Sequence, residues 1–411
     1  MIIKNINSDD RRSLVRNFFS LMVLRGFQFL IPLVTLPYVV RTIGLDNFGL
    51  INFSLSLCLY FGAVIQFGFG ITATREIARN RNNVVKLSQI YSATLIASFF
   101  LAVISSVAVF LVVITFDKFN HNKYLYLFTM MFVVFQSLFP IWFFQGMEKM
   151  KYITFLSLGT SAMYLISLFV FVKQESDFVL VPLLNAIAAF ITFIIAITLI
   201  YKHFNVKLTR PKIQEIENIY LNGYHGFITQ FVPNIYTNTV TFLLGFFANN
   251  AAVGLFTAAT KIIDALGSIV YVLSNTFLPF LARNIGRHKF FQKIMFIVGL
   301  SITLLLFFLS SYMVKFMYGD INEIVITYIR LLSFSIPLIF IQVTFGHNYL
   351  MLVGQEKVYK NIVLFFSISS LTYSLPLIYF YGELGSIFTL IFTRVLISVY
   401  TLRAYKKHAK N

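Results

Sequence analysis

The sequence predicts an all-α membrane protein of twelve transmembrane helices, arranged as two six-helix bundles around a central cavity. Three observations lead there. First, 58% of the 411 residues are hydrophobic and only 12% are charged, against roughly 25% charged in an ordinary soluble domain. With a mean hydropathy of +0.80, a chain of this length cannot enclose its apolar surface in a soluble core, so lipid must solvate most of it. Second, twelve apolar runs approach or exceed the span of about 20 residues that crosses a bilayer. Third, the longest polar stretch, 201–224, falls at the middle and leaves six runs on either side.

The runs lie near 17–40, 50–73, 88–115, 124–146, 152–172, 179–201, 223–247, 254–280, 294–314, 325–350, 361–381 and 386–402. Backbone groups in lipid must bond within their own segment unless a barrel closes, and these runs lack a barrel's alternation. They are therefore helices. With the N-terminus inside, the cytoplasmic segments carry 24 Lys and Arg and the outer loops carry 5. That bias predicts a multi-pass protein of the cell membrane with both termini cytoplasmic. The net charge of +18 is then largely a topology device, and no nucleic-acid partner is expected. The single cysteine, Cys58, excludes an internal disulfide. No cleavable leader is expected, because the apolar segment after Arg16 runs on to Val40.

The central polar stretch suggests a boundary between an N-terminal bundle, 1–211, and a C-terminal bundle, 212–411. The first spans of the halves open alike, "RGFQFLIP" at 25–32 and "HGFITQFVP" at 225–233, and the second spans open with "GLINFS" and "GLFTAA". Six plus six with the same direction of entry is the pattern of a transporter built from parallel repeats, whose substrate path runs between the halves. Eight of the nine prolines fall within or at the ends of spans, Pro211 excepted. Such kinks suit hinges, although proline is common in membrane helices generally.

Thr257, Lys261, Asp264, Ser268, Tyr271 and Asn275 recur at spacings that place them on one side of a helix. Gln230, Asn234, Thr237 and Thr241 form a similar face in the seventh span, and Arg25, Gln28 and Thr35 another in the first. Such faces either pack against one another or border water; three of them favour an aqueous cavity. At about 1.5 Å per residue, Arg25 lies roughly 13 Å inside its span, Arg394 roughly 12 Å, Lys261 about 11 Å and Arg330 about 8 Å. A charge at such depth is costly and marks either function or a side chain that snorkels to the interface. Asp264 is too short to snorkel. It is either a partner for Lys261 at i,i+3 or a coupling-ion site. Four embedded cations against Asp264 favour an anionic substrate, and guanidinium forks match phosphate oxygens. Arg25, Lys261, Arg330 and Arg394 are thus the candidates for an anion-attracting path, with Gln28, Gln230, Asn234, Tyr271 and Asn275 as polar lining.

The fourth span ends in "PIWFFQGMEKMKYI", 140–153. Taken alone, it is an amphipathic exit in which Trp142 and Tyr152 would sit at an interface. The string Pro140-x-Trp142-Phe143-Phe144-Gln145-Gly146-x-Glu148 nevertheless resembles the fourth-span signature of O-antigen flippases of the Wzx type. These form part of the polysaccharide transport branch of the exporter superfamily that also holds multidrug and toxin extruders. "LPYVVRTIGLDNFGLINFS" (36–54) and "FGFGITATREIARNRNN" (67–83) are similar to that family's first loop and second-to-third-span loop. The resemblance covers most of the chain and is strongest over 20–155. It implies a V-shaped pair of six-helix bundles in the bacterial inner membrane. These would carry oligosaccharide on an undecaprenyl-pyrophosphate carrier from the cytoplasmic to the periplasmic leaflet for lipopolysaccharide and polysaccharide biosynthesis. A polysaccharide polymerase and a chain-length regulator are the partners it implies.

Two rivals remain. A multidrug-type cation-coupled antiporter of related fold would show a cavity of the opposite sign. A membrane enzyme such as a polymerase would need a sizeable outer loop, whereas the longest here is 315–324. The six histidines never pair at i,i+3 or i,i+4, and there is no phosphate-binding Gly-Lys-Ser/Thr loop. No catalytic residue, metal or cofactor is expected.

Overall fold

The computed structural model describes residues 8–319 and 322–409, with only the backbone described at 8–33, 222, 225, 228–230 and 232–235. In chain order, helix α1 (Ser8–Gln66) is followed by α2 (Phe69–Arg79), α3 (Val84–Thr115), a single turn α4 (Asp117–Asn120) and α5 (Lys123–Leu138). The short α6 (Ile141–Gly146) leads into α7 (Met150–Phe171), α8 (Leu180–Phe204) and α9 (Ile213–Phe247). Then come α10 (Asn250–Gly267), α11 (Ile269–Arg283), α12 (His288–Tyr318), α13 (Glu323–Ser333) and α14 (Ser335–Ile341). A π-helical segment, Gln342–Leu350, and the long α15 (Glu356–His408) complete the chain.

The protein is an all-α membrane protein, and nine helical runs among the described residues are long and apolar enough to cross a bilayer. Two of the helices are each interrupted once. Helix α1 breaks at Gly44 (φ 78°) and α15 at Gly382 (φ 52°), and each carries two of the expected spans. Helix starts are signalled by asparagine. Asn83, Asn249 and Asn322 each accept a hydrogen bond from the backbone N–H three residues on, at 3.0, 2.8 and 3.1 Å. These bonds satisfy donors that the first turns of α3, α10 and α13 would leave orphaned.

By contact the chain forms two compact units, 42–242 and 1–41 with 243–411. The boundary expected at 211/212 differs from these units by the first helix of each half. Local contacts explain the grouping. In the first unit, α9 is joined to first-half helices: Tyr220 donates to the Ala97 carbonyl at 2.9 Å, and the Tyr60 and Thr239 hydroxyls meet at 2.5 Å. Gly68, itself at φ 71°, abuts α9 so closely that an added Cβ would lie 2.6 Å from the Gly223 carbonyl oxygen. Only glycine allows that crossing. In the other unit, the Arg41 guanidinium donates to the carbonyls of Lys315, Phe316 and Met317 at the end of α12. A cation there satisfies orphan acceptors and opposes the negative end of the helix dipole.

Within 42–242, α5 packs on α3 and α8, α8 on α7, and α2 on α6. Within the other unit, α13 lies against α10 and α12, while α15 packs on α10, α14 and the π segment. The outward helices keep apolar residues in the open: Phe155, Phe296 and Phe316 are each at least two-thirds exposed. In water such surface would drive aggregation. In lipid it is the ordinary solvent-facing side.

Candidate functional site

The polar stripe of the eighth span runs along α10 and α11. The chain turns at Ser268, where one helix ends and the next begins. Lys261, Asp264, Tyr271 and Asn275 are exposed and Ser268 is half-buried; Thr257 is buried, bonded to its own helix through the Val253 carbonyl at 2.7 Å. The opposite side, with Ile262, Ile263, Val270 and Leu273, is buried in the unit. The stripe is therefore an open polar face on an otherwise packed helix pair.

Arg394 sits beneath this face. It projects from α15 and is only 8% exposed. Its Nη1 donates to Ser335 Oγ of α14 at 2.6 Å, and its Nη2 approaches Asp264 Oδ1 of α10 at 4.0 Å. The backbone around it is pinned as well: the Arg394 carbonyl accepts from Gln342 Nε2 at 3.0 Å and from Ser398 Oγ at 2.7 Å. One end of the guanidinium is thus firmly anchored, and the other faces a carboxylate at the outer limit of ion-pair distance. At 4.0 Å this pair is loose. Asp264 was expected to be either a partner for Lys261 or a coupling-ion site; its carboxylate lies nearest Arg394 of another helix and also feels the charge of Lys261.

Arg330 has a different setting. Its Nε donates to Ser310 Oγ at 3.1 Å, and its guanidinium lies 5.8 Å from the Phe307 ring. Both partners belong to α12, and among the described residues no hydrogen bond or ion pair joins Arg330 to Lys261, Asp264 or Arg394. The side chains of Arg25, Gln28, Gln230 and Asn234 lie outside the described residues.

The 140–148 motif forms a built corner. Pro140 starts α6, whose Trp142, Phe143 and Phe144 are buried with Tyr91, Ile77, Ile200 and Val206. Trp142, 5% exposed, packs 5.9 Å from the Tyr91 ring, so it is a core residue and not an interfacial one. Thr74 of α2 donates to the Trp142 carbonyl at 3.2 Å and reaches Gln145 Oε1 at 3.5 Å. Gly146 is pressed against α2: a Cβ there would lie 2.6 Å from Ile77. Arg81 closes the corner, donating to the Gly146 carbonyl at 2.6 Å and to Glu148 Oε1 at 2.8 Å. This bond and the guanidinium charge hold the Glu148 carboxyl below its usual range. The motif residues hold α2 and α6 together.

Sequence reading missed Ser335, Gln342 and Ser398, because serines in apolar helices usually bond their own backbone. It also missed the buried Asn348, whose Oδ1 accepts from Ser274 Oγ at 2.6 Å and whose Nδ2 donates to the Ser274 carbonyl at 3.2 Å. A lone asparagine in an apolar run was the available signal, since it needs an internal partner.

Comparison with known proteins decides the family. The model of the family described as "Polysaccharide biosynthesis protein" matches residues 14–285. The chain belongs to this family. Among curated members, a candidate O-antigen transporter of Escherichia coli (strain K12) is 27% identical over 95% of this chain and 96% of its own. A second candidate O-antigen transporter, from Shigella dysenteriae, is 26% identical over 95% and 100%. Solved structures agree in fold. The lipid II flippase MurJ in an inward closed conformation superposes with a TM-score of 0.73 at 12% identity, covering 94% of this chain and 87% of that one. An inward-facing multidrug resistance MATE family transporter gives 0.70 at 13% identity, covering 93% and 96%.

Proposed function

We propose that this protein is a flippase that carries undecaprenyl-pyrophosphate-linked O-antigen or polysaccharide repeat units from the cytoplasmic to the periplasmic leaflet by alternating access. Relatives described as candidate O-antigen transporters correspond to it over nearly its whole length, and they are named as transporters, not as enzymes. The observation that carries the substrate's charge is the guanidinium of Arg394, anchored on Ser335 and loosely paired with exposed Asp264 beneath an open polar stripe. A glycan and its pyrophosphate cannot enter hydrocarbon with their polar groups unsatisfied. A polar face shields them while the prenyl tail stays in lipid.

In this reading the pyrophosphate displaces Asp264 from Arg394 and recruits Lys261. A dianion offers more acceptor oxygens than one carboxylate 4.0 Å away. Return of Asp264 after release resets the pair, and a cation taken up by Asp264 would supply coupling. Separating α1 at Gly44 and α15 at Gly382 and adding α9 gives twelve spans from the nine runs. We assign these to bundles 1–211 and 212–411 that alternate around the path, with both termini cytoplasmic in the bacterial inner membrane. Arg25, Gln28, Gln230 and Asn234 belong to this path as proposed lining, as do Arg330, Tyr271 and Asn275. A polymerase and a chain-length regulator act on the delivered product.

The test is deletion of the gene and complementation by this chain, followed by detection of lipid-linked glycan on each leaflet. Accumulation on the cytoplasmic side, relieved by the chain, supports the reading. Cation-coupled multidrug antiport is the alternative, favoured only by the exposed carboxylate of Asp264. Restored drug resistance in a pump-deficient strain would select it.

A further inference from the structure

The joint between the halves, 205–212, is stitched to the start of α3. Ser88 Oγ accepts from the Lys207 backbone N–H at 3.1 Å, and Ser92 Oγ accepts from that of Thr209 at 2.8 Å. Both serines are buried. These bonds hold the joint in place and set Lys207, Arg210 and Lys212 around a cleft of about 370 Å³, lined also by Val85, Ser88 and Glu215. Glu215 is already engaged: its Oε2 accepts from the Lys212 backbone N–H at 3.0 Å and so starts α9.

Among the described residues, none of the three cationic side chains has a hydrogen bond or ion pair. The cleft therefore gathers three positive charges against the single carboxylate of Glu215. Aliphatic side chains stand beside the cations: Val84 and Val85 line the cleft and are 45% and 71% exposed. It lies where α3 and α9 begin and α8 ends, so the spans leave the hydrocarbon at this level. Cations that attract phosphate, set among aliphatic side chains at span ends, match the chemistry of a charged lipid surface.

We propose that this cleft holds the phosphate of an anionic phospholipid headgroup, which thereby tethers the joint between the halves. A soluble phosphate would satisfy the cations but leave the aliphatic side chains in water. The inference is independent of what the protein transports.

The test uses the purified full-length chain in phosphatidylcholine vesicles containing a minor fraction of phosphatidylglycerol, with native mass spectrometry of retained lipid. The variant K207Q/R210Q/K212Q should retain roughly tenfold less phosphatidylglycerol. A control that removes three cations elsewhere, K357Q/K360Q/K406Q, should retain the normal amount. V84Q/V85Q keeps the charge and should also lose retention, and both variants should unfold in detergent at the native chain's temperature, which sets a folding defect aside. Equal retention in the triple variant and the control overturns the proposal, as does an equal loss in both. Displacement of the lipid from the native chain by inorganic pyrophosphate, with V84Q/V85Q retaining the normal amount of phosphatidylglycerol, would assign the cleft to a soluble anion and likewise overturn it.

Discussion

Arg394 divides its guanidinium between two partners of unequal strength, and that asymmetry yields the sharpest expectations at the scale of single residues. The Ser335 bond is short and buried, while the Asp264 contact is long and half open. A hydrogen bond to a charged group contributes about 1.5–3 kcal/mol, so Arg394→Ala should loosen α15 from α14 by about that amount. It should also abolish glycan export, with membrane insertion intact. Arg394→Lys keeps the charge but loses the fork, and should recover only part of export; surface-glycan staining at native expression measures both. Asp264→Asn removes the competitor for Arg394. It should leave the chain folded and alter the dependence of transport on the proton or sodium gradient in vesicles. An unchanged dependence would reduce Asp264 to a local partner. The sequence disclosed both residues, because charges in apolar runs stand out. Their pairing was not legible: period and spacing describe one helix, whereas the partner of Asp264 comes from a helix 130 residues further on.

At the scale of elements, the corner formed by α2 and α6 explains why the 140–148 motif reads as a signature. Gly146 permits the approach of Ile77, and a Cβ there would overlap it at 2.6 Å. Gly146→Ala should therefore destabilise the protein by about 1–3 kcal/mol, the usual cost of overpacking. Thermal unfolding in detergent would register it, with little change expected from the exposed control Gly159→Ala, whose Cβ meets nothing. The Arg81–Glu148 bond adds a pH dependence of definite sign. Glu148 has its carboxyl held below the ordinary range by Arg81. Its contribution is thus complete above the unfolded glutamate value and lost as pH falls through the lower folded value. Protease sensitivity of the 146–150 turn should rise on acidification in that window, and Glu148→Gln should remove the step. The motif's residues were legible as a string, but not as packing. Trp142 looked like an interfacial residue because tryptophan favours that position, and only the approach of α3 shows it buried.

At the scale of the whole molecule, twelve apolar runs and their basic flanks were sufficient to predict an all-α membrane protein. Hydrocarbon leaves the backbone no other open choice. The contact grouping of 1–41 with 243–411 was not legible, since it rests on Arg41 reaching the end of α12 and on Gly68 admitting α9. Such close approaches leave no periodic trace in a sequence. Transport as proposed requires that an anionic head group meet Arg394 and Lys261 while its tail remains in lipid. The most direct measurement is leaflet-resolved detection of lipid-linked glycan in a deletion strain carrying either the native chain or Arg394→Ala. The account predicts glycan on the periplasmic leaflet with the native chain and trapped on the cytoplasmic leaflet with the variant. Equal distribution in both strains would contradict it.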